Sequence, residues 1–410
     1  MKISITNHTG SRNRGCEALV RSTIQGVKDI LGDHHDKVEF FLHSNDPKYD
    51  DLVFDELTTV FSYALKTPNH SRYSSLNKLF YKLLKYIELI AKITFSRLSY
   101  RIDHFNILNQ SDFIIATGGD IFTSDYGNMR KHMAPIISSK TPVYICSHTI
   151  GPFSSEDEKY FCNNIQNVVG ISVREEESYE YLKTLNLDLN LVLAADVAFN
   201  LKPTMTNAWW SKRFNQSDSV VALSISEGII RYSKLNRSEY IKRWIEFIEY
   251  LIANKKKILL IPHVMESNPN NNDLVIIREI IEQCSLETKL WIKVASENHS
   301  ACELKGLIGS CDALVGTRTH ATIASLSQEI ATVSIAYSRK AYGIMCDIFG
   351  DNLGGKLTVK AEEMTAESLI KAYELSISNP PDSKIISNIK LLSKENFKML
   401  ESIVDEKKIS

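Results

Sequence analysis

Residues 312–337 read DALVGTRTHATIASLSQEIATVSIAY, from Asp312 to Tyr337. A short apolar run, Ala313–Val315, breaks at Gly316, and Arg318-Thr319-His320 then opens a helical segment. A second apolar run follows at Ala331–Ala336. Strand, helix and strand in so short a span form the repeating unit of a parallel sheet. An arginine and a histidine two residues apart at a helix start also make an anion site. The amide groups of the first turn and the positive dipole end attract negative charge, and arginine adds a bidentate fork. The histidine can in addition move a proton near neutral pH.

The same alternation runs outward in both directions. Ile3–Thr6, Val38–His43, Phe113–Ala116, Val143–Ser147 and Gly170–Val173 read as buried strands. Cys16–Leu31 and Glu175–Leu185 carry apolar residues at helical spacing. The pattern falters over Asn200–Ser219, with Pro203, Trp209, Trp210 and the polar run NQSDS. It restarts with Val220–Ser226, Lys257–Val264 and Leu290–Ala295. This predicts an α/β chain of two Rossmann-like domains facing a cleft: residues 1–202, residues 203–380, and a charged helical tail over 381–410. Ligands of such sheets sit beyond the C-terminal strand ends, where the polar residues of interest fall.

Length and composition agree with two sizeable cores: 410 residues, 43% of them hydrophobic. A net charge of −1 provides no global basic field for nucleic acid. Seven cysteines stand singly, without a CxxC pair, which argues against a zinc ribbon or a disulfide framework and fits a reducing cytoplasm. The first residues, MKISITNHTG, lack the apolar core of a signal peptide, and no run reaches bilayer-spanning length. Residues 72–101 stand apart, with seven Lys/Arg against one Glu and apolar residues at Leu76, Leu79, Phe80, Leu83, Ile87, Ile90 and Phe95. This basic amphipathic pattern serves either a membrane surface or a core-packed helix with solvated lysines.

Several strand ends carry groups with chemistry. Asn7-His8-Thr9-Gly10 follows the first strand, and Gly15-Cys16-Glu17 opens the next helix. Gly15 admits a close backbone approach, and Glu17 is either a capping charge or a base for a sugar hydroxyl. Gly118-Gly119-Asp120 follows Phe113–Ala116, reading as a tight turn or as a ligand approach with Asp120 facing the cleft. His148 ends another strand, as a substrate contact or a structural histidine. Arg174 binds an anion or pairs with the acidic Glu175–Glu177, and Asp196 shapes the junction between domains. In the second half, His263 and Arg231 follow strands and join Arg318 and His320 as candidates for one phosphate-binding wall. No cluster has metal-ligand spacing, and no cofactor is expected.

Taken in order, NHTGSRNRGCEAL, TGGDIF, SHTIGPF, ISVREEESYEYL, AADVAF, LLIPHV and GTRTHATIASLSQEIATVSIAYSRKAYGIM resemble the polysaccharide pyruvyl transferase family over nearly the whole chain. GxRxH followed by a helix, a strand and Tyr-x-x-Lys is the most specific part, with Tyr337 and Lys340 closing it. The resemblance implies a fold like the B-type glycosyltransferases. It also implies transfer of a pyruvyl group from phosphoenolpyruvate to a sugar as a ketal, with Arg318 and His320 contacting phosphoenolpyruvate. Two departures stand out. Thr319 occupies a position where the family commonly has leucine. Ser226-Glu227-Gly228 stands where an arginine often follows the first strand of the second domain, which leaves Arg231 or Arg174 as the second phosphate ligand.

On that footing the donor side comprises Arg318, His320, Arg231, Arg174, His263 and Lys340. The acceptor side comprises Asn7, Gly15, Glu17, Gly118, Gly119, Asp120 and His148. His320 is the expected proton donor or phosphate partner, with Glu17 or Asp120 as base. The expected partners are phosphoenolpyruvate, a glycan or lipid-linked acceptor and, through residues 72–101, the inner face of the cytoplasmic membrane. The competing readings are a sugar-nucleotide glycosyltransferase of the same fold and a non-catalytic glycan-assembly protein.

Overall fold

A computed structural model describes residues 1–32, 37–61, 103–124, 129–204, 218–230, 236–296, 298–337 and 339–409. Two all-parallel sheets organise them. The first has seven strands in the order β3-β2-β1-β4-β5-β6-β7. These are β1 (Lys2–His8), β2 (Glu39–Ser44), β3 (Thr58–Phe61), β4 (Phe113–Phe122), β5 (Val143–Ile150), β6 (Val168–Val173) and β7 (Asn190–Leu193). The second has six strands in the order β10-β9-β8-β11-β12-β13. These are β8 (Val220–Ser224), β9 (Lys257–Leu260), β10 (Ile292–Val294), β11 (Ala313–Gly316), β12 (Ala331–Ala336) and β13 (Thr358–Lys360).

In each sheet the chain winds outward from a central strand, returns, and winds the other way. The reversals fall between β1 and β4 and between β8 and β11. Loops diverge there, so a crevice opens at the carboxyl ends of those strands. The register keeps Ile3 and Ile5 beside Phe113 and Ile115, and Ala313 and Val315 beside Val221 and Leu223. Strands covered by helices on both faces read as near-continuous apolar runs, which is why the sequence shows them plainly. The strands it does not announce are the edges, β3 and β7, and the three-residue β13.

The first helix, α1 (Arg14–Leu31), shows how locally each crossover is specified. Asn13 caps it by accepting from the Gly15 amide, Glu17 lies in its first turn and Lys28 in its last, and Gly32 ends it with φ 52°. Its apolar stripe packs Leu19, Val20, Ile24 and Val27 against β1 and β4. The final helix, Ser383–Ile409, returns to this first domain and lies across α1. Phe397 comes so close to Gly26 that a side chain there would overlap its ring. Asn396 donates to the Ala195 carbonyl and accepts from the Ser172 hydroxyl, while the Tyr144 hydroxyl donates to its carbonyl. The tail is thus part of the first domain's core.

An apolar floor joins the two domains beneath the cleft. It contains Ala18 of α1, Ala198 and Phe199 of the junction, Ile323 and Leu326 of the helix Thr319–Leu326, and Ile386 of the final helix. Most of the interrupted stretch at Asn200–Ser219, and all of residues 72–101, lie outside the described residues. No helix among the described residues is long and apolar enough to cross a membrane.

Candidate functional site

The two crevices face one another, and the chain closes their base with backbone. The loop after β1 meets the loop after β9: Asn13 pairs with Val264 in an antiparallel bridge, Arg14 N donates to the His263 carbonyl and Met265 N to the Arg12 carbonyl. Arg14 and the Tyr49 hydroxyl both donate to Asn298 Oδ1 of the second domain, each at 2.6 Å.

Arg318 occupies the cap position of the helix Thr319–Leu326, and its side chain makes no capping bond. It turns to Asp273 instead, donating from NH2 at 2.7 Å and from Nε at 3.2 Å. Asp273 is fully buried and also accepts from the amides of Glu227, His263 and Val264. One carboxylate thereby gathers the loops that follow β8, β9 and β11. Gly228 faces the Arg318 guanidinium: a methyl group placed on it would lie 3.7 Å from NH2.

His320, in the first turn of the same helix, reaches the first domain. A β-carbon on Gly15 would sit 2.3 Å from His320 Nδ1, so the ring lies directly on the start of α1. Its Nε2 is 3.7 Å from Asp196 Oδ2. Asp196 itself is held by Arg174 at 2.7 Å and accepts from the Ala198 amide. Asp196 therefore shapes the junction, as its sequence position predicts, and also faces the histidine.

Arg174 is buried and surrounded. It pairs with Asp120 and Asp196, lies 3.7 Å from Glu175, and donates from Nε and NH2 to the Thr149 hydroxyl. Burial opposes its charge, but Asp120, Asp196 and Glu175 outweigh it and raise the guanidinium above its ordinary value. The donor-wall expectation for Arg174 is therefore corrected. This arginine belongs to the first domain's wall, because neighbouring carboxylates and a hydroxyl take its nitrogens. Asp120 keeps a fifth of its side-chain surface exposed.

Glu17 is fully buried between two arginines, accepting from Arg14 at 3.0 Å and Arg21 at 2.8 Å. Both oxygens are engaged, which fits neither a simple capping charge nor a base open to a hydroxyl. His148 is sealed between strands and 4.6 Å from the Phe122 ring. Burial first, then the Arg174 charge, lowers it to about 3, so it stays neutral and closed off from an acceptor, contrary to the acceptor-side expectation. His263 lies beneath the donor wall. Burial first, then the neighbouring His320, Arg318 and Arg14, push it well below its ordinary range. Asn7 spends its amide on the His132 carbonyl. Gly118 lets β4 and β5 approach, since a β-carbon would lie 2.6 Å from the Ser147 carbonyl, and Gly119 has φ 142°. Arg231 and the Lys340 side chain lie outside the described residues.

The structure thus brings Gly15, Arg318 and His320 together and adds Arg14, Asp273 and Asn298, which sequence reading missed. Asp273 follows the polar SNPNNN run at a helix start, where an acidic residue signals only a first-turn charge. Nothing in a linear sequence separates a buried Arg14 from a solvated one.

This site at the facing crevices carries the GTRTH stretch, and residues 13–339 match the Polysaccharide pyruvyl transferase family. The chain belongs to that family. It is 24% identical over 254 residues to the amylovoran biosynthesis protein AmsJ of Erwinia amylovora, covering 58% of this chain and 60% of that protein. The chain thus spans less than two thirds of the length of this curated relative. Among solved structures it is similar to the UDP-GlcNAc 2-epimerase of Methanocaldococcus jannaschii, with TM-score 0.55, 14% identity and coverage of 98% of this chain and 99% of that one. It is also similar to a putative UDP-N-acetylglucosamine 2-epimerase of Listeria monocytogenes, with TM-score 0.53, 10% identity and coverage of 100% and 97%. At such identities the likeness shows the fold alone: two parallel-sheet α/β domains of the B-type glycosyltransferase kind.

Proposed function

We propose that this pyruvyl transferase family member moves the pyruvyl group of phosphoenolpyruvate onto a sugar of a bacterial surface polysaccharide or its lipid-linked precursor. The observation that carries the reading is the Arg318–His320 pair at one helix start, seated at the strand reversal of the second domain and facing α1 of the first. Arg318 and the helix amides supply donors for a phosphate, and phosphoenolpyruvate brings phosphate and carboxylate into the same crevice.

The arrangement supports the following chemistry. His320 gives a proton to the methylene carbon, which becomes the methyl group. A sugar hydroxyl adds to the central carbon and loses its proton. A second hydroxyl of the sugar then displaces phosphate: the bond from carbon to the phosphate oxygen breaks, the hydroxyl's proton leaves with the phosphate, and the cyclic ketal closes. Asp120 is favoured over Glu17 as the base, because both Glu17 oxygens are held by arginines. The crevice needs no further group for this sequence of steps. Contact of residues 72–101 with the inner membrane face would place the site beside a lipid-linked acceptor.

The test is incubation with phosphoenolpyruvate and a panel of lipid-linked or synthetic galactosides, glucosides and mannosides, reading phosphate release and product mass together. A ketal adds a small acidic unit, whereas a glycosyl transfer adds a whole sugar. His320→Ala is expected to lower turnover by about 100-fold or more, in the range of a lost general acid. Near-normal turnover would remove His320 from that role, as unchanged turnover in Asp120→Asn would remove the base. Replacing Lys78, Lys82 and Lys85 with Glu is expected to weaken sedimentation with anionic vesicles, and unchanged sedimentation would count against membrane contact.

A further inference from the structure

We propose that Asp273 is the positioning residue of the donor grip, fixing the plane and reach of the Arg318 guanidinium before the donor arrives. The inference rests on Arg318 as the phosphate ligand of the proposed reaction.

Asp273 is fully buried, whereas the Arg318 side chain keeps 15% of its surface exposed. The pair therefore runs from the protein interior to the wall of the crevice. Contact through both Nε and NH2 sets the guanidinium plane, which a single-point contact leaves free to rotate. The same carboxylate holds the amides of Glu227, His263 and Val264, so the arginine is indexed against the loops after β8 and β9 as well as its own. Oδ1 serves Arg318 NH2 and the Glu227 amide, and Oδ2 serves Arg318 Nε and the amides of His263 and Val264. An asparagine in either orientation would turn an NH2 group against donors.

A bond that only held the fold together would leave no trace in donor chemistry beyond a loss of stability. A positioning bond leaves a chemical imprint: with the arginine side chain removed, Asp273 should seat a free planar cation at the same place. Arg318→Ala is therefore assayed with phosphoenolpyruvate and an acceptor, with guanidinium or methylammonium added at equal, sub-denaturing concentration. Guanidinium is expected to raise the rate at least about tenfold and methylammonium less than about twofold, since only the planar fork matches two-point contact with a carboxylate. The gain should vanish in Arg318→Ala/Asp273→Asn. Equal rescue by the two cations, rescue by neither, or rescue that persists without Asp273 would each overturn the proposal. The cation comparison in Arg318→Ala decides the matter if the double variant does not fold.

Wild-type protein run alongside separates the two ideas. If it releases no phosphate from phosphoenolpyruvate with any acceptor, the reaction is wrong, and Asp273 is then judged without turnover. The Nε proton signal of Arg318, assigned by its loss in Arg318→Lys, is expected to exchange with water more slowly than those of exposed arginines. Exchange as fast as theirs would overturn the anchored geometry.

Discussion

His320 touches the first domain through the one residue type that leaves it room. With a β-carbon at position 15 only 2.3 Å from Nδ1, any side chain must move the imidazole or part the domains. Gly15→Ala is therefore expected to lower kcat/KM by tenfold or more if His320 acts as proposed, because overpacking of about 1–3 kcal/mol falls on its ring. The unfolding midpoint should move little, since the strain is relieved by opening the cleft. A variant with wild-type kcat/KM would show that His320 does not work from this position. The sequence gives half of this residue's story: a glycine at a helix start signals close approach, but only the folded chain shows that His320 makes it. Asp120, Glu17 and Arg174 teach the converse. Residue type and strand-end placement marked all three as cleft groups, yet two of them are buried in ion pairs that no linear pattern reveals.

The loop that leads into α1 works as a clasp. Its backbone bridges to residues 263–265, and Arg14 and Tyr49 converge on Asn298. Arg14 is the costly member, because removing it strands Glu17 with Arg21 alone in a buried place, a loss of about 3–5 kcal/mol for a broken buried pair. Asn298 is the informative one. Asn298→Ala deletes the shared acceptor from the second domain and leaves the Arg14–Glu17 pair standing. It is expected to raise KM for phosphoenolpyruvate several-fold with a change in stability near 1 kcal/mol, the usual worth of lost polar contacts. An unchanged KM would mean that the clasp does not govern closure. The elements themselves were legible wherever burial is two-sided: β1, β4, β5, β8 and β12 read as apolar runs because helices cover both faces. The edge strands β3 and β7 were not, since an edge needs only a few pairing residues.

Two sheets wound alike, with their reversals facing, explain why a chain of modest polarity can gather charge in one place. Arg14, Arg174 and Arg318 all point toward the junction, and each is neutralised there by a carboxylate. The alternation of strands and helices showed the two domains and their cleft, but not the clasp or the tail's return, which depend on contacts between residues hundreds of positions apart. Burial also sets the response of the whole molecule to acid. Burial is the leading cause that lowers His132 to about 4 and His148 to about 3, and it holds His263 well below its ordinary value. The unfolded chain protonates these rings from pH 6.5 downward while the native chain does not, so stability is intact above that pH and falls below it. Asp347 acts in the opposite sense: burial and the nearby Glu176 and Asp351 raise it to about 6, so the native state takes up its proton first. Between about pH 6 and 4 these four groups together give the unfolded state roughly two more protons than the native one, a contribution to the slope of about 3 kcal/mol per pH unit. His148→Phe, which keeps a ring against Phe122, should flatten that slope by about 1.4 kcal/mol per pH unit. Denaturant unfolding of both proteins from pH 7 to pH 4 measures it, and parallel curves would show that His148 takes up its proton without unfolding.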